Sequence, residues 1–159
     1  MEIGTWTIML RVVLAAVLGG AIGFDRDLLK KPAGARTLMM VSIGACTFTL
    51  LGILSAERLA ARVDNFPVAL DPSRVLAGIA GGVGFLGAGM IIQGRGRVRG
   101  LTSAAGIWVT AAVGAACGLG EYALAIVTGV VAIITFTSSR LFHPDHENGE
   151  TPKRRSTDE

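Results

Sequence analysis

The sequence predicts an all-α membrane protein, a bundle of five transmembrane helices with its N-terminus outside and its C-terminus in the cytoplasm. Three observations predict this fold class. The 159 residues are 51% hydrophobic and only 17% charged, with a mean hydropathy of +0.56. The chain also carries 22 glycines, which weaken helices in water but let membrane helices approach one another closely. The basic residues lie in short segments between apolar runs, the pattern that sets orientation in a bilayer.

Each predicted helix corresponds to one apolar run of about the length that crosses a bilayer. The five runs are Trp6–Phe24, Leu38–Ala56, Val75–Ile92, Leu101–Leu119 and Tyr122–Ser139. The third run has no charged residue and six glycines, so we expect a central helix that packs on more than one side. Asp71 and Pro72 precede it with the residue types of an N-cap and a first helical position.

Three glycines of this run, Gly82, Gly84 and Gly87, match a dinucleotide-binding pattern. That pattern requires an acidic residue about 20 positions further on. The next acidic residue is Glu121, which is too distant, and the surrounding residues are those of a membrane helix. We therefore interpret the glycines as helix-packing positions.

The orientation follows from the distribution of Lys and Arg. Eleven of the 15 lie after the first run, after the third run, or from Arg140 onward, and only three lie between Glu57 and Arg74. Because short cytoplasmic loops are enriched in these residues, the N-terminus is predicted outside. The transmembrane domain then covers residues 1–142, and residues 143–159 form a charged cytoplasmic tail that we expect to be disordered.

Two side chains inside the apolar runs are unusual. Arg11 lies within the first run, where a charge must either reach the outer interface or find a partner, and Glu121 is the natural candidate. Trp108 lies near the middle of the fourth run, away from the interface that Trp prefers. Core packing is the simpler interpretation for it, and a functional aromatic is the alternative. Two glycine pairs have close-packing spacing, Gly19 with Gly23 and Gly114 with Gly118.

The chain offers little that points to catalysis, metal binding or nucleic-acid binding. Cys46 and Cys117 lie in apolar runs and are predicted to be buried and unpaired. The tail residues His143, Asp145, His146 and Glu147 lack the supporting groups of a metal site. Ser103 has no base near it in sequence, so we predict no enzyme, no cofactor and no metal. A net charge of +3 is modest for a nucleic-acid partner.

Several stretches resemble the MgtC/SapB family of bacterial inner-membrane proteins. They are Leu18–Arg26 (LGGAIGFDR), Pro32–Thr37 (PAGART), Asp71–Arg74 (DPSR), Gly82–Gly89 (GVGFLGAG) and Val98–Trp108 (VRGLTSAAGIW). The similarity covers roughly residues 8–120. The chain departs from the family pattern in having Asp25 for Glu, Leu38 for His, Gly78 for Gln and Gly81 for a small polar residue. It looks like a short-form member, without the soluble C-terminal domain of the virulence-type members.

The resemblance implies a multi-pass inner-membrane protein linked to growth at low magnesium and, in some pathogens, to virulence. Members of the family are also described as restraining the F-type ATP synthase. The implied partners are the lipid bilayer, other membrane proteins and further copies of the chain.

Two functions remain open from the sequence. The first is regulation by helix–helix contact, for which the candidate residues form two polar groups and one set of glycines: Asp25, Arg26, Arg36 and Thr37; Asp71 and Arg74; and Gly84, Gly87 and Gly89. The alternative is a small oligomeric transporter or channel for Mg²⁺ or another cation. The acids lie only at helix ends, and the fourth helix offers only the hydroxyls of Thr102, Ser103 and Thr110 as oxygen ligands. This scarcity favours regulation.

Overall fold

The computed structural model of the chain describes residues 3–61, 71–94 and 97–142. It contains five helices and one short hairpin, in the order α1 (Thr5–Leu28), α2 (Ala35–Ala60), α3 (Pro72–Met90), β1 (Ile92–Gly94), β2 (Arg97–Arg99), α4 (Leu101–Leu119) and α5 (Tyr122–Phe142). The predicted bundle of five helices is confirmed, and its orientation in the membrane stays a prediction. The tail expected to be disordered, residues 143–159, lies outside the described residues.

Four of the helices, α1 to α4, are long and apolar enough to cross a membrane. The apolar part of α5, Tyr122–Ser138, is shorter, so a crossing by α5 stays a prediction. Large apolar side chains cover the outside of the bundle, including Met40, Phe48 and Ile134, each at least 60% exposed. Such a surface suits a helix bundle whose solvent is lipid.

A hairpin stands where the sequence predicted the end of a helix and a tight connection. The third apolar run was expected to be helical through Ile92, but α3 ends at Met90 and Ile92 pairs with Arg99 in an antiparallel ladder. Gly100 makes the return possible because its φ is +89° and a Cβ there would overlap the carbonyl oxygen of Met90. The strands have three residues each, too few for a period-two pattern to reveal them.

The core of the bundle is α4, the most buried helix, with α2 packed against it and α1 packed against α2. A Cβ at Gly19 of α1 would lie 2.7 Å from the Cβ of Ser42, and a Cβ at Gly114 of α4 would overlap the carbonyl oxygen of Ser42. A Cβ at Gly118 would lie 2.7 Å from the carbonyl oxygen of Cys46. Glycine at these positions therefore lets the backbones of the three helices touch.

The helix with the most glycines, α3, lies at the edge of the bundle rather than at its centre. It packs mainly against α4 and less against α2, and only Val83 and Gly87 are buried among its described side chains. At five of its glycines an added Cβ would meet nothing within 4 Å: Gly78, Gly81, Gly82, Gly84 and Gly89. The expectation of a central helix was wrong because small residues permit close packing on a partner without identifying that partner.

The remaining helix, α5, packs against α4 and α1, with Ala125, Ala132 and Phe136 buried. A Cβ at Gly106 of α4 would lie 2.7 Å from the ring of Phe136. The bundle has two distinct ends. At the Arg26 end, the last turn of α1 meets the first turns of α2 and α4. At the Arg11 end, the beginning of α1 meets the last turn of α4.

Candidate functional site

At the Arg26 end, one buried cation connects four segments of the chain. Arg26 is only 6% exposed, and its guanidinium donates to the carbonyl oxygen of Pro32 from Nε at 3.4 Å and from Nη2 at 3.2 Å. Nη2 also donates to the hydroxyl of Ser103, which itself donates to Pro32 at 3.0 Å. The ring centroid of Phe136 lies 4.9 Å from Cζ of Arg26. We call these four residues the Arg26 cluster.

The loop between α1 and α2 is held in a compact form beside this cluster. Asp27 accepts a hydrogen bond from the backbone N–H of Ala35 at 2.8 Å, so a side chain of α1 satisfies the first turn of α2. A Cβ at Gly34 would overlap the Asp27 carboxylate, which is why glycine is needed at that position. Lys30 and Ala33 have positive φ values of 51° and 58°, which close the loop within a few residues.

The structure brings together only part of the cytoplasmic group predicted from the sequence. Arg26 is in the cluster and Asp25 lies half-buried on the same helix, but Arg36 and Thr37 are exposed on the first turn of α2. The sequence did not identify Pro32, Ser103 or Phe136 as partners of Arg26. One signal was available, because Ser103, Thr110 and Gly114 follow each other at spacings of seven and four and therefore share one face of α4.

At the Arg11 end, Arg11 has a partner that the sequence did not suggest. Its Nη1 donates to the carbonyl oxygen of Gly118 at 2.6 Å, in the last turn of α4. A Cβ at Gly120 would lie 2.7 Å from Nη2 of Arg11, so the guanidinium covers this glycine. The C-terminal end of a helix carries unpaired carbonyls and partial negative charge, which suits a cation. Glu121, the partner expected from the sequence, is exposed, and Arg11 binds the carbonyl of Gly118 instead.

The second predicted polar group, Asp71 and Arg74, lies exposed at the beginning of α3. Asp71 is the N-cap of this helix, as predicted, and its carboxylate accepts from the backbone N–H of Ser73 at 2.9 Å. Hydrogen bonds from the side chain and the backbone of Ser73 hold the pKa of Asp71 below its ordinary value. Asp71 therefore caps α3. The role of Arg74 in regulation by helix–helix contact stays a prediction.

Trp108 does not pack in the core, contrary to the simpler interpretation of the sequence. It is 55% exposed and lines a small apolar groove of about 150 Å³ between α3 and α4, together with Val83 and Ala112. Thr102 is also exposed, in the first turn of α4. Among the glycines proposed as partner contacts, a Cβ added at Gly87 would lie 3.6 Å from the Cβ of Ala104, whereas Gly84 and Gly89 are open.

The interior contains few polar groups. The hydroxyls of Ser42 and Thr110 are fully buried and have no hydrogen-bond partner among the residues that the structure describes. Cys46 and Cys117 are buried and not joined in a disulfide, as the sequence predicted. Within residues 3–61, 71–94 and 97–142, no group of three or more His, Cys, Asp and Glu side chains is placed to hold a metal ion.

Comparison with known proteins gives one family and several relatives. The model of the MgtC family matches residues 12–144, which extends beyond residue 120, where the resemblance noted in the sequence ended. "Putative magnesium transporter YhiD" of Escherichia coli is 40% identical over 135 residues, 85% of this chain and 60% of the relative. "Protein MgtC" of Brucella abortus is 42% identical over 119 residues, 75% of this chain and 45% of the relative.

"Protein SrpB" of Synechococcus elongatus is 38% identical over 144 residues, 84% of this chain and 76% of the relative. The chain spans about half to three-fifths of the length of the first relatives, 55% and 60%. No solved structure matches the chain.

Proposed function

The chain belongs to the MgtC family, and on this premise we propose that it is a regulatory protein of a bacterial inner membrane that acts by helix–helix contact. The observation that carries the proposal is the outward surface of α3. Gly78, Gly82, Phe85 and Gly89 lie at spacings of four, three and four, and therefore share one face, which we call the α3 glycine face. An added Cβ at its glycines would meet nothing within 4 Å, and Phe85 is 81% exposed.

The core of the same chain supports this use of glycine. At Gly19, Gly114 and Gly118, the missing side chain brings another helix within van der Waals distance of the backbone. The α3 glycine face has the same composition, but no helix from the described part of the chain lies against it. Because membrane helices associate through small residues, this face suits a helix of another protein or of a second copy.

The charges in the core favour regulation over cation transport through a single chain. Two cationic groups of α1 reach the core, the half-buried Arg11 at one end and the buried Arg26 at the other. A fixed positive charge opposes the passage of a cation. Between the two ends, Gly114 is in backbone contact with Ser42, so α2 and α4 leave little room for a hydrated ion.

The second candidate function is a small oligomeric transporter for Mg²⁺ or another cation. The name of the Escherichia coli relative favours it. So do the buried hydroxyls of Ser42 and Thr110, because oxygen atoms are the ligands that Mg²⁺ prefers. In this case the pathway would have to be completed by a second copy.

The two functions are separated by one pair of measurements. A photocrosslinking residue is placed at Gly82 on the α3 glycine face and, as a matched control, at Val130, a 47% exposed position of α5. Regulation by contact predicts a discrete crosslinked product from position 82 in native membranes and none from position 130. The product would be identified as a second copy or another membrane protein, with the F-type ATP synthase as one partner to test.

The companion measurement follows Mg²⁺ entry into sealed liposomes that contain the folded protein. Entry above that of empty liposomes, removed by Thr110→Val, would overturn the regulatory proposal in favour of transport. No entry, together with a discrete crosslink from position 82, supports regulation.

A further inference from the structure

We propose that the Arg26 end of the bundle binds the headgroup of an anionic phospholipid through the exposed cations Lys30, Arg36 and Arg99. Lys30 belongs to the loop between α1 and α2, Arg36 to the first turn of α2, and Arg99 to the end of β2. The Arg26 cluster ties this loop to the first turn of α4, which begins two residues after Arg99. The three cations therefore lie at the same end of the bundle.

These cations are not neutralised within the described part of the chain. All three side chains are exposed, and none forms a hydrogen bond or ion pair with another described residue. Residues 25–36 carry four basic residues and two acidic ones, and Arg99 adds a fifth cation. One of the two acids, Asp27, already accepts the backbone N–H of Ala35. This end therefore has an excess of positive charge that the described residues do not balance.

The helix ends at this location increase the excess. Both α2 and α4 begin here, and neither has an acidic residue in its first turn; the carboxylate of Asp27 accepts the first N–H of α2 but none of α4. A helix N-terminus is itself partially positive and is usually accompanied by acidic residues. Here Arg36 lies in the first turn of α2 and Arg99 lies just before α4, which adds like charge. An anion at this end would remove the repulsion and accept the free N–H groups of α4.

Exposed apolar side chains next to the cations identify the anion as a lipid rather than free phosphate. Leu28 is 63% exposed and lies two residues before Lys30, and Val98 and Leu101 are 48% and 58% exposed on either side of Arg99. A phospholipid presents the same sequence of chemistry, with a hydrocarbon chain joined to a phosphate. A soluble anion would make no contact with these apolar side chains.

Native mass spectrometry of the full chain in detergent tests the proposal. The protein is titrated separately with phosphatidylglycerol and phosphatidylcholine that carry the same acyl chains, and the two Kd values are compared. We expect tighter binding of phosphatidylglycerol. A Lys or Arg near an anionic membrane surface contributes about a fivefold preference, so Arg36→Gln with Arg99→Gln should reduce the preference by about 25-fold.

The matched control removes two charges from exposed positions at the other end of the bundle, as Arg58→Gln with Arg74→Gln. It should keep the preference of the wild type. If both double variants lost the preference for phosphatidylglycerol equally, the attraction would come from net charge alone, and the proposal would be overturned. The absence of any preference in the wild-type chain would overturn it as well.

Two further readouts keep the result interpretable. Thermal unfolding of the Arg36 and Arg99 variants should match the wild type, because neither side chain has a described internal partner; if a double variant unfolds, Lys30→Gln repeats the comparison. Inorganic phosphate, added at the concentration of the lipid, should not displace phosphatidylglycerol. Displacement by phosphate would overturn the assignment to a lipid.

Discussion

The guanidinium of Arg26 stacks over the ring of Phe136, with Cζ 4.9 Å from the ring centroid. This contact joins the last turn of α1 to α5, while the hydrogen bonds of the same guanidinium reach the loop and α4. A planar cation can make both kinds of contact at once, and burial strengthens its attraction to the ring. One side chain thus holds together the Arg26 end of the bundle.

We expect the contact to be measurable as a coupling energy. In a double-mutant cycle of Arg26→Ala and Phe136→Leu, the two losses should be non-additive by about 1 kcal/mol, the size of a partly desolvated cation–π pair. Arg26→Lys should not restore the stability, because Lys cannot serve Pro32 and Ser103 with a planar fork. Unfolding in mixed micelles measures each variant. Phe48→Leu, at a 62% exposed position, is the control and should change stability little.

The partner of Arg11 gives a second prediction. Because its guanidinium binds the carbonyl of Gly118 rather than the carboxylate of Glu121, the effects of Arg11→Ala and Glu121→Ala should add within about 0.5 kcal/mol. Arg11→Ala alone should cost about 2 kcal/mol, since it removes a charged hydrogen bond to a helix end. The same unfolding assay applies. A coupling well above that limit would show that the two side chains form an ion pair.

The two classes of glycine should respond differently to alanine. Gly114→Ala places a Cβ on the carbonyl of Ser42, and we expect a loss of at least about 2 kcal/mol, because backbone atoms cannot move aside cheaply. Gly84→Ala meets open space and should gain up to about 1 kcal/mol from helix propensity. Chemical or thermal unfolding of both variants makes the comparison. Similar losses would show that another chain covers Gly84.

Replacing the buried hydroxyl of Thr110 by a methyl group should stabilise the fold. Thr110→Val keeps the shape and removes an unsatisfied group, so the free energy of unfolding should rise by about 1 kcal/mol. Thr49→Val is the control, because the Thr49 hydroxyl already donates to the carbonyl of Ala45 at 2.9 Å and its removal should not stabilise. A clear loss in Thr110→Val would indicate a bound water or ion at the hydroxyl and would favour the transport function.

The capping carboxylate of Asp71 should make stability depend on pH. Hydrogen bonds from Ser73 lower its pKa in the folded chain below the ordinary value of 3.8. A carboxylate with a lowered pKa stabilises the fold when the pH is above its ordinary pKa. This contribution is lost as the pH falls through the lowered pKa. The difference in unfolding free energy between wild type and Asp71→Asn should therefore shrink as the pH falls from above 3.8 through the lowered pKa. A constant difference would contradict the cap.

The sequence located the helices well because apolar runs of this length have few alternatives to a helix in a bilayer. The first run, Trp6–Phe24, lies within α1, and Leu38–Ala56 lies within α2. The true ends lie outside the runs because Asp25, Glu57 and Arg58 continue their helices beyond the apolar segment. An uncharged apolar run thus predicts that a helix exists and where it lies, while the ends of the helix depend on hydrogen bonds in the adjoining loops.

The arrangement of the helices could not be predicted in the same way. Glycine spacing marked Gly19, Gly114 and the glycines of α3 alike, yet only the first two are in the core. The partners of Arg26 were hidden because Ser103 is 77 positions away along the chain. Helical periodicity identifies which residues share a face, but it contains no information on which faces meet.

The order of the helices along the chain differs from their order in the core. The backbone of α2 touches α1 and α4, whereas α3, which lies between α2 and α4 in sequence, is left at the side. During synthesis, α1 and α2 can form their contact as soon as they emerge. The face of α2 that carries Thr49 must then wait through the whole of α3 for Gly118 of α4 to reach it. The synthesis of this protein thus includes an interval in which α3 has already been made, while the face of α2 that carries Thr49 must stay free for α4.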